Sequence, residues 1–158
     1  MRILGAFSDV IDRYGEHVEH RNTWGDAVYI VLRTPAAAAA CALELQAAMT
    51  SIDLEAEGLP SHLALRLGGH VGPVFPVLDP VIRQKAFMGS HVSRTARIEP
   101  VAPAGTVYVT APFAAALILR GERKMTCDYV GHMPAAKGYG KLRMYRLQAT
   151  PSGDRRTK

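Results

Sequence analysis

Residues 22–35, Asn-Thr-Trp-Gly-Asp-Ala-Val-Tyr-Ile-Val-Leu-Arg-Thr-Pro, contain a turn, a strand and the start of a helix in immediate succession. The pair Gly25-Asp26 is typical of a hairpin turn, and the apolar run 27–32, rich in β-branched and aromatic residues, predicts a buried strand. The pair Thr34-Pro35 is the pattern of an N-cap followed by a first-turn proline. A hairpin that leads through a buried strand into a helix indicates a fold that mixes sheet and helices.

The same alternation continues on both sides of this stretch. Upstream, Ile3, Phe7 and Ile11 recur at helical spacing and Gly15 follows as a helix-ending glycine, which predicts an amphipathic helix. Its apolar stripe begins almost at Met1 with no capping residue before it, so we expect the chain to be an N-terminally shortened piece. Further strands are predicted at 17–22, 63–67, 71–77 (bulged, or a hairpin), 106–109, 125–130 and 142–147, and further helices at about 35–49, 90–99 and 110–119. This order favours an α+β sandwich, a sheet covered by helices on one face, over a doubly wound parallel fold.

The composition bounds the class of protein. The chain has 158 residues, which predicts one domain at 1–150 followed by a flexible basic tail at 151–158. Hydrophobic residues make up 48% and charged residues 21%, which excludes a disordered, collagen-like or coiled-coil chain. The net charge of +5 is compatible with an anionic partner, but no strand interleaves aromatic with basic residues, so nucleic-acid binding is not favoured. Cys41 and Cys127 lack metal-site spacing, and neither a membrane span nor a secretory signal is recognisable, so we predict a cytoplasmic protein.

Three stretches resemble the catalytic domain of class III adenylate and guanylate cyclases. Residues 22–27, Asn-Thr-Trp-Gly-Asp-Ala, resemble the hairpin in which a Gly-Asp pair holds a metal-binding carboxylate. Residues 65–72 are similar to the family's Arg-containing strand and its following glycine. The most specific stretch, 87–99, resembles the strand-to-helix segment that carries an Asn and an Arg one helical turn apart. Two further stretches follow in the expected order, at 105–110 and 137–140, so the resemblance runs from the first helix to about Leu147.

The resemblance implies a ferredoxin-like α+β sandwich, here lacking its first strand and helix. It implies a phosphorus–oxygen lyase in cyclic-nucleotide signalling, which converts ATP or GTP to a cyclic nucleotide and pyrophosphate. It also implies a head-to-tail homodimer, or a heterodimer with a complete cyclase domain, and two divalent metals, Mg²⁺ or Mn²⁺. Asp26 matches one metal-binding aspartate; the other belongs to the missing strand, so we expect an incomplete two-metal site.

The resemblance also assigns roles to other residues. Arg97 matches the arginine that stabilises the transition state, and Ser93, one turn before it, matches the ribose-orienting asparagine. Asn22 stands where a lysine contacts the purine, Ala86 stands where an aspartate or threonine pairs with it, and Lys137 matches the triphosphate-binding lysine. Because Ser93, Asn22 and Ala86 depart from the family pattern, the choice between ATP and GTP is not readable and we expect impaired activity of this chain alone.

Simpler interpretations stand beside these roles. Asp26 is also typical of a turn aspartate that accepts hydrogen bonds from backbone donors. Arg97 is also typical of a solvated helix surface, and Lys137 is also typical of a turn before the last strand. His70 and Trp24 are more typical of packed residues than of ligands. The alternative function is therefore a regulatory module that dimerises or binds nucleotide without turnover, and that in a heterodimer lends Arg97 to a partner.

Overall fold

The computed structural model describes residues 2–150, so the predicted tail at 151–158 lies outside the described residues. The helices are α1 (Arg2–Asp12), α2 (Pro35–Thr50), α3 (Ser90–Thr95) and α4 (Ala111–Leu119). The strands are β1 (Val18–Trp24), β2 (Ala27–Leu32), β3 (Leu67–Gly69), β4 (Phe75–Leu78), β5 (Lys85–Met88), β6 (Val107–Thr110), β7 (Met125–Pro134) and β8 (Lys141–Ala149). Short 3-10 turns occupy Gly15–His17, Glu99–Val101 and Ala136–Gly138. None of the described helices is both long enough and apolar enough to cross a membrane.

The strands form a four-stranded sheet and two hairpins. The sheet has the order β3-β6-β8-β7, in which β3 runs parallel to β6 and the other neighbours are antiparallel. Strands β1 and β2 form one antiparallel hairpin, and β4 and β5 form the other. The predicted α+β class is confirmed.

The main core lies between the sheet and α4. Val107 and Val109 of β6 and Leu147 of β8 pack against Phe113 and Leu117 of α4, and all five side chains are buried. Burying an aliphatic or aromatic side chain of this size stabilises the fold by about 1.5–3 kcal/mol. The sheet and α4 are therefore held together by apolar contact over their central residues.

A second core joins α1 to α2. Phe7, Val10 and Ile11 of α1 pack against Cys41 and Leu45 of α2, and β2 packs on the same cluster. The start of α2 follows the sequence prediction, because the Thr34 side chain accepts a hydrogen bond of 3.2 Å from the N–H of Ala37.

A gap separates the β1–β2 hairpin from the larger sheet. Among residues 2–150, β2 is paired only with β1 and β3 only with β6, and both unpaired edges border a cavity of about 270 Å³. The cavity is lined mostly by apolar side chains, among them Ile30, Leu32 and Leu67. One further strand at this position would join the hairpin to the sheet.

Several predicted element boundaries are wrong, including that of the strand predicted at 71–77, which is regular only from Phe75. The strand predicted at 63–67 is irregular until Leu67, because the carbonyl of Leu65 accepts from the Gly105 N–H and from the Gln46 side chain instead of from a neighbouring strand. Helix α3 ends at Thr95 rather than at residue 99, since the next N–H groups bond three residues back, as Arg97 N–H does to Arg94 O. Strand β7 continues to Pro134 through a bulge at Gly131.

Candidate active site

The segment that contains Ser93 and Arg97 begins with a sharp turn out of β5. Gly89 has φ 137°, a backbone conformation that side chains rarely allow, and it turns the chain directly into α3. Ser93 is exposed on α3, and Arg97 lies half-buried in the turn after it. Arg97 forms no ion pair with any residue between 2 and 150, so its guanidinium is available to an anionic ligand.

This segment is fixed to the sheet by Ile98 and Gly68. Ile98 is fully buried, and a Cβ atom at Gly68 would lie only 2.7 Å from the backbone nitrogen of Glu99. Glycine at position 68 therefore allows the turn that carries Arg97 to lie directly on β3.

The structure places Lys137 beside the Arg97 segment. The N–H of Ala136 donates a hydrogen bond of 3.0 Å to the carbonyl oxygen of Arg97. Lys137 follows with φ 57° and ψ 38°, a left-handed conformation that is uncommon for a residue with a side chain. Two cationic side chains predicted to contact phosphate are thus held on neighbouring backbone segments that are far apart in the sequence.

The positions predicted to read the purine lie on two other strands. Ala86 is half-buried in β5, and the ring of the next residue, Phe87, lies 5.8 Å from that of His20 in β1. Asn22 is exposed in β1, where its Oδ1 accepts from the N–H of Thr23. The contact between β1 and β5 therefore brings the two strands together, but Ala86 has no polar atom on its side chain with which to select a base.

Asp26 is exposed in the turn between β1 and β2, after Gly25 with φ 64°. Trp24 stacks on Tyr29 within the same hairpin, with ring centroids 4.6 Å apart. Among residues 2–150, no group of three or more His, Cys, Asp or Glu side chains is arranged to hold a metal ion. A single carboxylate does not provide the oxygen ligands of a two-metal centre, so the described residues alone do not fit that group.

Sequence reasoning missed the surroundings of His70. Its Nε2 lies 2.8 Å from Nδ1 of His91, and its Nδ1 lies 2.7 Å from the hydroxyl of Thr110. Burial, followed by the nearby charge of Arg94 and the His91 ring, lowers the pKa of His70 from 6.5 to about 4. The interpretation of His70 as a packed residue agrees with this geometry. Nothing in the sequence pattern links positions 70, 91, 94 and 110, since they are joined only by tertiary contact.

The chain is similar to known proteins in its sequence family and in its fold. Residues 1–149 match the family described as the adenylate and guanylate cyclase catalytic domain. No curated protein shows significant similarity to the chain.

Several solved structures share the fold. The guanylate cyclase domain of RhGC from Catenaria anguillulae, in complex with GTP, is 21% identical, with a TM-score of 0.76 over 95% of this chain and 81% of that one. An adenylate cyclase from Trypanosoma brucei in its monomeric state is 23% identical, with a TM-score of 0.77 over 96% and 77%. A dimeric guanylyl cyclase domain of the RhoGC fusion protein from Blastocladiella emersonii is 17% identical, with a TM-score of 0.72 over 94% and 80%.

Proposed function

The chain belongs to the family of adenylate and guanylate cyclase catalytic domains, and we propose that it is one half of a head-to-tail dimer that cyclises a purine nucleoside triphosphate. Arg97 and Lys137 contact the phosphates, Ser93 contacts the ribose, and Asn22 and Ala86 lie at the base. A homodimer and a heterodimer with a complete cyclase domain both satisfy this arrangement. A similar fold has been seen with GTP bound, which supports the substrate class, and in a non-canonical dimer, which supports pairing of two domains but not the head-to-tail arrangement itself.

One observation carries the proposal: the hydrogen bond of 3.0 Å from Ala136 N–H to Arg97 O. It holds the Lys137 turn against the Arg97 turn, which supports a role for both cations at one ligand. Cations held in position before the substrate arrives stabilise developing phosphate charge without reorganisation during the reaction. Two solvated surface residues would need no such connection.

The reaction needs positioning and charge stabilisation more than covalent catalysis. The ribose O3′ forms a bond to the α-phosphorus, the bond from that phosphorus to the oxygen bridging to the β-phosphorus breaks, and pyrophosphate leaves; the hydroxyl proton is lost to solvent. Arg97 binds the oxygens on which charge develops, since a guanidinium can donate two parallel hydrogen bonds to a phosphate. Lys137 binds the triphosphate as a point charge. The Ser93 hydroxyl is shorter than an amide and orients the ribose less firmly.

We further propose that this chain alone turns over weakly or not at all. Asp26 is a lone carboxylate, Ala86 offers no hydrogen bond to a base edge, and the Asn22 side chain accepts from its own backbone neighbour. Catalysis that depends on Mg²⁺ or Mn²⁺ requires carboxylates from outside residues 2–150. We expect this activity in the cytoplasm, because Cys41 and Cys127 are both free thiols.

The test is a mixing experiment with a matched control. The chain is assayed with ATP and with GTP in excess Mn²⁺, first alone and then mixed with a partner. The partner is a complete cyclase domain of the same family in which the transition-state arginine is replaced by alanine. Cyclic product and pyrophosphate are measured by mass spectrometry. We expect little or no product from either protein alone and product from the mixture, which Arg97→Ala abolishes and Arg123→Ala, an exposed arginine before β7, leaves unchanged.

The alternative is a non-catalytic dimerisation or nucleotide-binding module, and the substitutions at Ser93, Asn22 and Ala86 favour it. Sedimentation of the mixture and calorimetric titration with a non-cyclisable ATP or GTP analogue distinguish the two functions. Dimerisation or nucleotide binding in a mixture that forms no cyclic product would replace the catalytic proposal with this one. Product that is unaffected by Arg97→Ala would remove the role proposed for Arg97.

A further inference from the structure

A second cavity, of about 320 Å³, lies at the start of α4, and we infer that it is a binding site for a phosphate group. We call it the α4 cavity. Its lining residues are His70, Arg94, Thr110, Ala111, Pro112, His132, Lys141, Leu142 and Arg143. The inference goes beyond the proposed nucleotide site, because none of these residues has a role there.

The charge of the α4 cavity is positive and unbalanced by the described part of the chain. Arg94, Lys141 and Arg143 line it, and no aspartate or glutamate does. None of these three cations forms an ion pair with a described residue, although Nε of Arg143 donates a hydrogen bond of 3.2 Å to Nε2 of His132. Three unpaired cations around one cavity attract an anion, and a dianion more strongly than a monoanion.

Arg94 is the most constrained of these cations. Its Nε is buried and has no hydrogen-bond partner in residues 2–150, although its guanidinium carbon lies 5.8 Å from the centre of the Tyr139 ring. A buried guanidinium N–H without an acceptor is unfavourable, and an anion in the cavity would offset part of this cost through its attraction to the guanidinium charge. Successive residues of a helix point about 100° apart, so Arg94 and Ser93 point in different directions from α3.

Helix α4 adds backbone donors to the same cavity. The helix spans nine residues, and its N-cap Thr110 makes no side-chain cap hydrogen bond because its hydroxyl contacts Nδ1 of His70. The N–H groups of the first turn therefore have no partner within the helix, and Pro112 has no N–H to satisfy. This end of the helix also has the positive end of the helix dipole, which favours a bound phosphate.

The ligand class follows from this donor set. Arginine presents a planar pair of donors that matches two phosphate oxygens, lysine adds a mobile charge, and the first turn of α4 adds backbone N–H groups. The phosphate comes either as the free ion or as the phosphoryl group of a small phosphorylated molecule. Inorganic phosphate and glycerol 3-phosphate therefore form the two arms of the test.

The experiment uses the full chain and follows backbone amide resonances by NMR at constant ionic strength while inorganic phosphate is added. We expect saturable shifts at Ala111 and Phe113, and at least a tenfold weaker affinity in Arg94→Met. Lys141→Met changes an exposed side chain, so it tests the cavity without disturbing the core, and it should also weaken binding several-fold. Arg123→Met is the control and should bind as the unaltered chain does. If glycerol 3-phosphate binds more tightly than inorganic phosphate, the ligand is a phosphate ester. If it binds equally or more weakly, the ligand is the free phosphate ion.

A second readout is independent of affinity. Because Arg94 helps to lower the pKa of His70, a phosphate anion bound to Arg94 should raise the pKa of His70 from about 4, which its ring resonances report. Arg97→Ala should leave phosphate binding intact, so failure of the nucleotide proposal is distinguishable from failure of this one. The inference would be overturned by shifts that do not saturate or that map to Arg97 and Lys137. It would also be overturned if Arg94→Met and Arg123→Met reduced the shifts equally.

Discussion

The backbone N–H of Ala136 donates to the carbonyl oxygen of Arg97 across 3.0 Å, although the two residues are far apart in the sequence. The bond joins the turn before β8 to the turn after α3, and each turn carries a cation predicted to contact phosphate. Small displacements of catalytic groups lower rates strongly, so this single backbone contact is expected to control how Arg97 and Lys137 act together.

Ala136→Pro tests this connection because it removes the donor and places the ring Cδ where the N–H points at the Arg97 oxygen, so the two turns must separate. Ala136 is the first residue of the 3-10 turn, and Ala135 before it has φ −72° and ψ 151°, the extended conformation that a following proline requires. We expect a loss of about 1 kcal/mol in the free energy of unfolding and a fall of about tenfold in cyclic product from the mixture. Ala136→Ser keeps the N–H and should behave as the unaltered chain does. Equal product from the proline and serine variants would contradict a positioning role for the bond.

Lys137→Gly should separate stability from function. Lys137 has φ 57°, and a side chain in this left-handed region costs about 1 kcal/mol that glycine does not incur. The variant should therefore gain up to about that amount in the free energy of unfolding, measured in urea, while product from the mixture falls. Lys124→Gly is the control, since Lys124 is not among the described residues with positive φ and should gain no stability. A stable Lys137→Gly with undiminished product would show that the lysine is only a turn residue.

Short sequence patterns predicted those elements whose hydrogen bonds join residues only a few positions apart. The Thr34-Pro35 pair fixes the start of α2 because the cap bond spans only three residues. The strand predicted at 63–67 is wrong for the opposite reason: alternation was present, but the Leu65 carbonyl bonds to Gln46 and Gly105 from other parts of the chain. The alternation of apolar and polar residues does not show that distant residues will take the backbone hydrogen bonds of a predicted strand.

The candidate site was predictable only through motif order. Ser93 and Arg97 share a short helical segment, so their spacing was readable, but the contact of that segment with Ala136 was not. The α4 cavity was not predictable at all, because Arg94, Thr110 and Lys141 meet only after the sheet and α3 have packed. A lysine or arginine at one of these positions is indistinguishable in sequence from a solvated charge.

Gly68→Ala tests how the Arg97 turn is anchored. The added Cβ would lie 2.7 Å from the backbone nitrogen of Glu99 and 3.1 Å from its Cα, and backbone cannot move aside as a flexible side chain can. We expect a loss of about 1–3 kcal/mol in the free energy of unfolding, together with reduced product. Gly5→Ala is the matched control: it lies inside α1 with open space around it and should gain about 0.5–1 kcal/mol. An unchanged stability of Gly68→Ala would mean that the Glu99 turn packs loosely on β3.

The pH dependence of stability should report the burial of His70. Its pKa is lowered from 6.5 in the unfolded chain to about 4 in the folded one, first by burial and then by Arg94 and His91. As the pH falls, the unfolded chain therefore binds the extra proton first. The contribution of His70 to the free energy of unfolding is fully present above pH 6.5 and is lost as the pH falls towards 4. The loss is at most about 1.4 kcal/mol per pH unit. His70→Asn keeps a hydrogen-bonding group near Thr110 but does not titrate, so urea denaturation between pH 4 and 7 should show a flatter slope in that variant. His62→Asn, at an exposed turn, should leave the slope as it is. If His70→Asn retains the full slope, other groups must cause the loss of stability in acid.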